Sequence, residues 1–323
     1  MNDYDLKALK GKVEKEEIIQ RVWGDYGTVV RQWLNNGTHS SVINKRIRLP
    51  EKTKHPRGWN TSVSKQRKLT SFGVEVAWYR DYSNQLDFRC LSPVGLVTEH
   101  YAGKIDLVMT DLAAIGLTEV VTESDWRHWK LVLTWLANFH AKHINSSADG
   151  LWPIGSYWHL ETRQEEYQVM ASGDLKLKAG DIDQELNKAS YQTLIHGDAK
   201  LANFCFSPEN DRVGAVDFQY VGKGCGIKDV MLFISSCVPL EQAEDLEQSI
   251  LAWYFEALEE AVQHYQPHLD ADAIGAQWRG LYNLAWADFV RFLKGWAPDH
   301  WKICDYSESL TAAALTRLSD VRR

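Results

Sequence analysis

The 323-residue chain lacks the marks of several protein classes. It has no excess of positive charge. Its 36 Lys and Arg stand against 43 Asp and Glu, a net charge of −7. Binding to nucleic-acid phosphates needs a basic face, so no nucleic-acid partner is expected, although a local basic pocket for a small anion is not excluded. The five cysteines (Cys90, Cys205, Cys225, Cys237 and Cys304) are odd in number and widely scattered, with no CxxC pair. That argues against a zinc site or a disulfide framework and predicts reduced thiols. No run approaches the ~20 apolar residues of a membrane span. Residues 1–20 are charged throughout, without the apolar core of a signal peptide. A cytoplasmic protein with no membrane partner is therefore expected. There is no internal repeat and no low-complexity linker. What remains is ordinary for a globular protein, 45% hydrophobic and 24% charged, and long enough for one large domain or two lobes with a shared cleft. Tryptophan is the one surplus, with fourteen residues. Such rings can fill a core or line an apolar or cation-binding pocket.

From about Glu16 to Leu49 the texture is β-like, with polar and glycine-containing breaks at Asp25-Tyr26-Gly27 and Asn35-Asn36-Gly37. Three antiparallel strands are predicted, followed by a polar loop from Glu51 to Asn60. Leu69, Phe72, Val76 and Tyr79 recur at three- and four-residue steps, which predicts an amphipathic helix despite Gly73. Residues 105–110 read as a buried strand that Asp111-Leu112 ends. Ser124 or Asp125 caps a second helix that runs to about His143 and aligns Trp129, Leu133, Leu136 and His140. The stretch from Asn145 to Lys188 is polar and glycine-rich, either a substrate-covering insertion or a surface excursion. From Leu240 onward the texture is helical. A β-rich front third and a mostly helical remainder predict an α+β protein with a boundary near residue 110, dividing it into 1–110 and 111–323.

The most informative residues are His196-Gly197-Asp198-Ala199-Lys200-Leu201-Ala202-Asn203, followed by Val216-Asp217-Phe218-Gln219. Phosphoryl transfer from MgATP needs a carboxylate to orient and deprotonate the attacking hydroxyl. It also needs a cation to offset charge on the moving group, and oxygen ligands for magnesium. Asp198, in a turn after the apolar segment 191–195, suits the first role, and Lys200 the second. Asn203 offers a hard neutral oxygen, and the short apolar strand 213–216 delivers Asp217; these two are the candidate Mg²⁺ ligands. The turn formers of 207–212 (SPENDR) can close a hairpin between the motifs, so that the two ligands come from adjacent strands. Any one of these residues is as readily a solvated turn residue. The whole string with its downstream partner carries the reading.

HGDxKxxN, then a strand and DFQ, then glycines and Asp229-Val230 before an apolar helix, resembles the kinases of the protein-kinase-like superfamily. Within it the pattern is similar to the aminoglycoside phosphotransferase and choline kinase group. DFQ most resembles its ecdysteroid kinase-like (CHK kinase-like) branch. The resemblance is strong over 194–233, extends over about 22–112, and is slight elsewhere. It implies a bilobal protein-kinase-like fold with a small β-rich N-lobe, a larger mostly helical C-lobe, and ATP between them. It also implies a nucleotide lysine on the third strand, paired with a glutamate on the next helix. Lys45 and Glu75 are the candidates, and their ion pair would hold the ammonium against the α- and β-phosphates. Arg46 and Arg48 are close alternatives, since a one-residue slip exchanges the sheet faces; alternation groups Ile43, Lys45 and Ile47. Asp229 would brace the catalytic loop, a role compatible with capping the following helix. The hinge would fall at 109–112, where the backbone at Met109 and Asp111 meets adenine. Gly24-Asp25-Tyr26-Gly27 departs from the family's glycine loop. Either Gly24 and Gly27 bring backbone N–H groups to ATP with Asp25 turned away, or the segment is a plain hairpin turn. His140 lies in a stretch resembling a helix common in the group, and a histidine on an apolar helix face is structural more often than catalytic. Lys223 and its neighbouring glycines shape the loop after Asp217.

These features predict an ATP-dependent phosphotransferase acting on a hydroxyl of a small molecule. The acceptor stays open. Choline or another amino-alcohol would use tryptophans and acids such as Asp299 as a cation site. A sterol-like alcohol would suit the aromatic richness. An aminoglycoside would call for a strongly acidic cleft, whereas 161–185 mixes acids with lysines. A protein substrate is the least favoured. The rival from another class is a nucleotide-binding pseudokinase without turnover.

Overall fold

The computed structural model describes residues 12–35, 38–48, 61–101 and 103–320. The polar loop expected from Glu51 to Asn60 lies outside the described residues. The chain forms two compact units: Met1–Val120 with Cys205–Gln219, and Val121–Phe204 with Tyr220–Arg323. Residue 110 thus lies inside the first unit, which continues to Val120 and takes back the segment carrying Asp217.

The first unit is built on five strands: β1 (Lys12–Val22), β2 (Gly27–Asn35), β3 (Ser41–Arg48), β4 (Gly95–Tyr101) and β5 (Lys104–Thr110). They form one antiparallel sheet in the order β1-β2-β3-β5-β4. The helix α1 (Ser62–Ala77) begins where the Thr61 hydroxyl accepts the Ser64 N–H at 3.0 Å. Ile47 packs with Val22, Tyr26, Ile105 and Phe72 of α1, while Leu34, Val42 and Val108 form a separate cluster. Strand alternation therefore turns Lys45 to the α1 side, and the register Val29↔Lys45↔Leu107 fixes it there. Strand β4 was not anticipated. Its sequence GLVTEHY has no period-two pattern, and pairing with β5 makes it a strand.

The second unit is mostly helical. Its α2 (Trp126–His143) starts at Asp125, whose carboxylate accepts the N–H groups of Arg127 and His128 in a capping box. Residues 145–188 are folded, with α3 (Gln164–Val169), α4 (Asp174–Leu177) and α5 (Ala179–Asn187). Four short strands follow in the chain: β6 (Thr193–Ile195) and β9 (Gly222–Gly224), which pair in this unit, and β7 (Phe204–Phe206) and β8 (Val213–Ala215), which pair in the segment that the first unit takes back. The rest is α6 (Ile227–Cys237), α7 (Leu240–Tyr265), α8 (Ala271–Gly280), α9 (Tyr282–Trp296) and α10 (Asp305–Asp320). The 145–188 segment is bolted to α9: the Trp158 indole N–H donates to Asp288 at 3.0 Å, and Arg291 donates to the Trp158 carbonyl at 2.7 Å. Trp135, Trp158, Trp278 and Trp286 are buried in this unit and Trp78 in the first, so much of the tryptophan surplus is core. No helix among the described residues is long and apolar enough to cross a membrane.

Asp125→Ala removes the acceptor for two N–H groups at the start of α2. A loss of about 1 kcal/mol is expected, read as a lower thermal midpoint.

Candidate active site

In the second unit, β6 leads directly into His196. The carboxylate of Asp229, in the first turn of α6 and fully buried, accepts the His196 N–H at 2.6 Å and the Gly197 N–H at 2.9 Å. Nε2 of His140 lies 3.2 Å from the same carboxylate, and its Nδ1 lies 2.8 Å from the Tyr254 hydroxyl. Burial holds Tyr254 well above the ordinary tyrosine value, so it stays a neutral phenol. His140 is thus enclosed between an acid and a phenol, which is a structural position. Gly197 is required twice over. Its φ is +77°, and a Cβ there would lie 2.1 Å from the Tyr220 carbonyl oxygen.

This bracing turns Asp198 and its followers toward one another. Asp198 Oδ2 accepts Lys200 Nζ at 2.9 Å and Asn203 Nδ2 at 3.1 Å. Asn203 Nδ2 also donates to the Asp198 carbonyl at 2.7 Å, which turns the amide oxygen to the opposite side. Among the described residues no protein donor binds Asp198 Oδ1, so that oxygen can accept a further hydroxyl proton. The loop is held from below as well, since the Leu201 N–H donates to the Ser236 hydroxyl at 2.9 Å.

In the first unit, Lys45 Nζ lies 2.7 Å from Glu75 and 3.1 Å from Asp217. Lys45 and Glu75 are buried, whereas the Asp217 side chain is 33% exposed. Burial works against the Lys45 ammonium, but Asp217 and Glu75 outweigh it and raise its pKa. Burial also raises Glu75, Lys45 opposes that, and Asp217 adds to it. Two carboxylates share one ammonium, and a second cation, Lys68, acts on Glu75 as well. Asp217 has φ +68°, a left-handed conformation that is costly for a residue other than glycine.

Every side chain of Asp217-Phe218-Gln219 is fastened within this unit. Phe218 stacks on Trp78 at 4.4 Å between ring centroids. Gln219 Nε2 donates to Asp217 Oδ1 at 2.7 Å, while its Oε1 accepts Lys68 Nζ at 2.6 Å and the Ser71 hydroxyl at 3.3 Å. Sequence reading used Gln219 only as a family mark and passed over Lys68. The signal was present: Lys68, Ser71 and Glu75 recur at three- and four-residue steps, on one face of α1.

The other expected residues have local structural roles. Gly24 (φ +76°) and Asp25 (φ +60°) shape the turn between β1 and β2. A Cβ on Gly27 would lie 1.9 Å from the Arg46 carbonyl oxygen, so close strand approach already requires glycine there. Met109 is buried in β5 between Ile43 of β3 and Gly95 of β4. The Asp111 carboxylate binds Arg31 at 2.7 Å, the Ser41 hydroxyl at 2.8 Å and the Ala113 N–H at 3.0 Å. The carbonyls of Asp111 and Leu112 accept the N–H groups of Ala114 and Leu117. Asp299 is exposed. Among the described residues no cluster of three or more His, Cys, Asp or Glu could hold a metal ion.

Both units have counterparts of known structure. The amicoumacin kinase hAmiN, solved in complex with AMP-PNP, Ca²⁺ and Ami, is 16% identical over 97% of this chain and 91% of its own, with a TM-score of 0.58. A choline kinase from Cryptosporidium parvum is 10% identical over 95% and 90%, with a TM-score of 0.53. The Plasmodium vivax ethanolamine kinase is 11% identical over 97% and 84%, with a TM-score of 0.50. The fold is that of the protein-kinase-like small-molecule kinases. Within that class, residues 159–266 match the ecdysteroid kinase-like family, a stretch that contains Asp198, Lys200, Asn203, Asp217, Gln219 and Asp229. No protein of curated function matches the chain.

Two predictions follow from the geometry. Asp229→Ala strands two buried N–H groups and a histidine, and should cost about 3 kcal/mol or more, seen as a large fall in thermal midpoint. Gln219→Ala removes the tether between Asp217 and α1. A loss of roughly 1–3 kcal/mol is expected, and crystallography should show Asp217 released from its present rotamer.

Proposed function

We propose that the chain is an ATP-dependent phosphotransferase whose acceptor is a hydroxyl of a small molecule. The observation that carries this reading is the Lys45–Glu75–Asp217 group, where two carboxylates share one ammonium and Asp217 is the partly exposed member. A partly exposed carboxylate of this kind can take a divalent cation. Asp217 and Asn203 are the residues assigned to hold it. Mg²⁺, when bound, would neutralise charge on the β- and γ-phosphate oxygens. Lys45, fixed by Glu75, offsets charge on the α- and β-phosphates.

In the transfer step Asp198 accepts the proton of the acceptor hydroxyl as its oxygen bonds to the γ-phosphorus. The bond from that phosphorus to the β,γ-bridging oxygen breaks, and ADP leaves with the electron pair. Lys200 offsets charge on the moving phosphoryl oxygens. Support comes from the matched family and from kinases of small molecules with the same fold, one of them holding a nucleotide analogue and a divalent cation. Backbone groups at Gly24, Gly27, Met109 and Asp111 are kept as nucleotide contacts in this reading. A cytoplasmic location belongs to this reading.

The reading is tested by Mg²⁺-dependent ATP consumption with and without a panel of small alcohols. Asp198→Asn and Asp217→Ala should each lower turnover by roughly 10²-fold or more while the protein stays folded. Near-wild-type turnover by either variant overturns the assignment. ATP binding without turnover of any acceptor would make the chain a pseudokinase instead.

A further inference from the structure

Acceptor chemistry must be sought in the second unit, around Asp198. Tyr157 donates its N–H to the Gly197 carbonyl at 3.2 Å, beside the catalytic loop. Its ring meets Phe292 edge-on at 5.6 Å, and Phe292 stacks on Trp296 at 5.6 Å. Lys302, in the loop between α9 and α10, lies over the Phe289 and Trp301 rings at 5.6 and 5.4 Å. Its ammonium donates to the Ser235 hydroxyl at 3.0 Å. Neighbouring Ser236 is the residue that accepts the Leu201 N–H of the catalytic loop. One helix end therefore anchors both Lys302 and the loop that carries Asp198, and the charges of Asp198 and Lys200 both act on Lys302.

The other well-buried cations of this unit have acids. Arg291 and Lys228 share Asp288, at 2.7 and 3.7 Å, and Arg163 has Glu166 at 2.9 Å. Half-buried Lys302 is different. Among the described residues it has a hydroxyl and two ring faces, but no carboxylate within ion-pair distance. Burial lowers it to about 8, with Asp198 acting in the opposite direction. A poorly compensated ammonium of this kind gains from an anionic ligand. A cationic acceptor, in contrast, would meet Lys200 and Lys302 together, while Asp229 and Asp288 are already saturated and Asp299 is exposed.

We propose that Lys302 is a specificity-determining residue, and that the acceptor is an apolar or aromatic alcohol bearing a carboxylate rather than an amino-alcohol. This rests on the phosphotransferase reading and deepens it. The aromatic body would lie on the exposed Trp301 ring beside Lys302, the carboxylate would pair with its ammonium, and the hydroxyl would reach Asp198.

A matched trio on one ring tests it: 4-(hydroxymethyl)benzoate, 4-methylbenzyl alcohol and 4-(hydroxymethyl)benzylamine, each offered with MgATP. The wild type should prefer the benzoate. Lys302→Met should lower the kcat/KM ratio of benzoate to neutral alcohol about tenfold, through KM rather than kcat, and Lys302→Arg should restore it. Preference for the benzylamine, or an unchanged ratio in Lys302→Met, overturns the proposal. Calorimetric titration of the benzoate separates the two levels. If no alcohol is turned over, the phosphotransferase reading fails. Benzoate binding that is lost in Lys302→Met still upholds the anion site. Equal binding in both proteins, or none in the wild type, overturns it.

Discussion

The Asp229 carboxylate is closed off from water and filled by the N–H groups of His196 and Gly197 and by His140, which Tyr254 holds from behind. A buried charge of this kind is tolerable only when its lone pairs are used, and using them fixes the neighbouring backbone. The turn after β6 can then place Gly197 in a conformation open to glycine, and Asp198, Lys200 and Asn203 converge. Remove that acid and nothing in the local sequence of the loop would choose this shape. His140, Tyr254 and the capped start of α2 serve the same constraint at one remove.

The first unit depends on a different kind of buried charge. Lys45 sits between Glu75 and Asp217, and the sum of the three is negative. Lys45 and Glu75 are buried, and their charges are tolerable because each has an opposite charge within reach. Gln219 and Phe218 keep the arrangement rigid, one by hydrogen bonds to Asp217 and α1, the other by stacking on Trp78. The strained backbone at Asp217 is therefore over-determined by its neighbours, the condition under which such strain persists.

Much of this was legible in the chain, and for definable reasons. The three leading strands show through glycine-containing breaks, α1 through its three- and four-residue steps, and α2 through Asp125. Resemblance pointed to Lys45 with Arg46 and Arg48 as alternatives, alternation grouped it with Ile43 and Ile47, and the β3 register turns Lys45 toward Glu75. The features that stayed hidden depend on partners distant in sequence. Strand β4 has no alternation of its own. The glycines of 145–188 read as irregular, yet the segment is folded and joined to α9 by Trp158, Asp288 and Arg291. Gly27 could belong to a phosphate loop or to a plain hairpin turn, and steric contact with the Arg46 carbonyl is sufficient reason for a glycine there.

The sequence by itself determined which chemistry is present: an acid, a lysine and an amide in one short loop, and a second acid after an apolar strand. Side-chain identity and close spacing are local properties, and short loops leave few ways to arrange them. Tertiary structure alone decided what each charged group is paired with. It gave Asp111 to Arg31 and Ser41, Asp288 to Arg291 and Lys228, and left Lys302 with a hydroxyl and two rings. Apart from the local Asp288–Arg291 pair, these pairings depend on burial and on residues about 60 to 80 positions apart, which no short window of sequence contains.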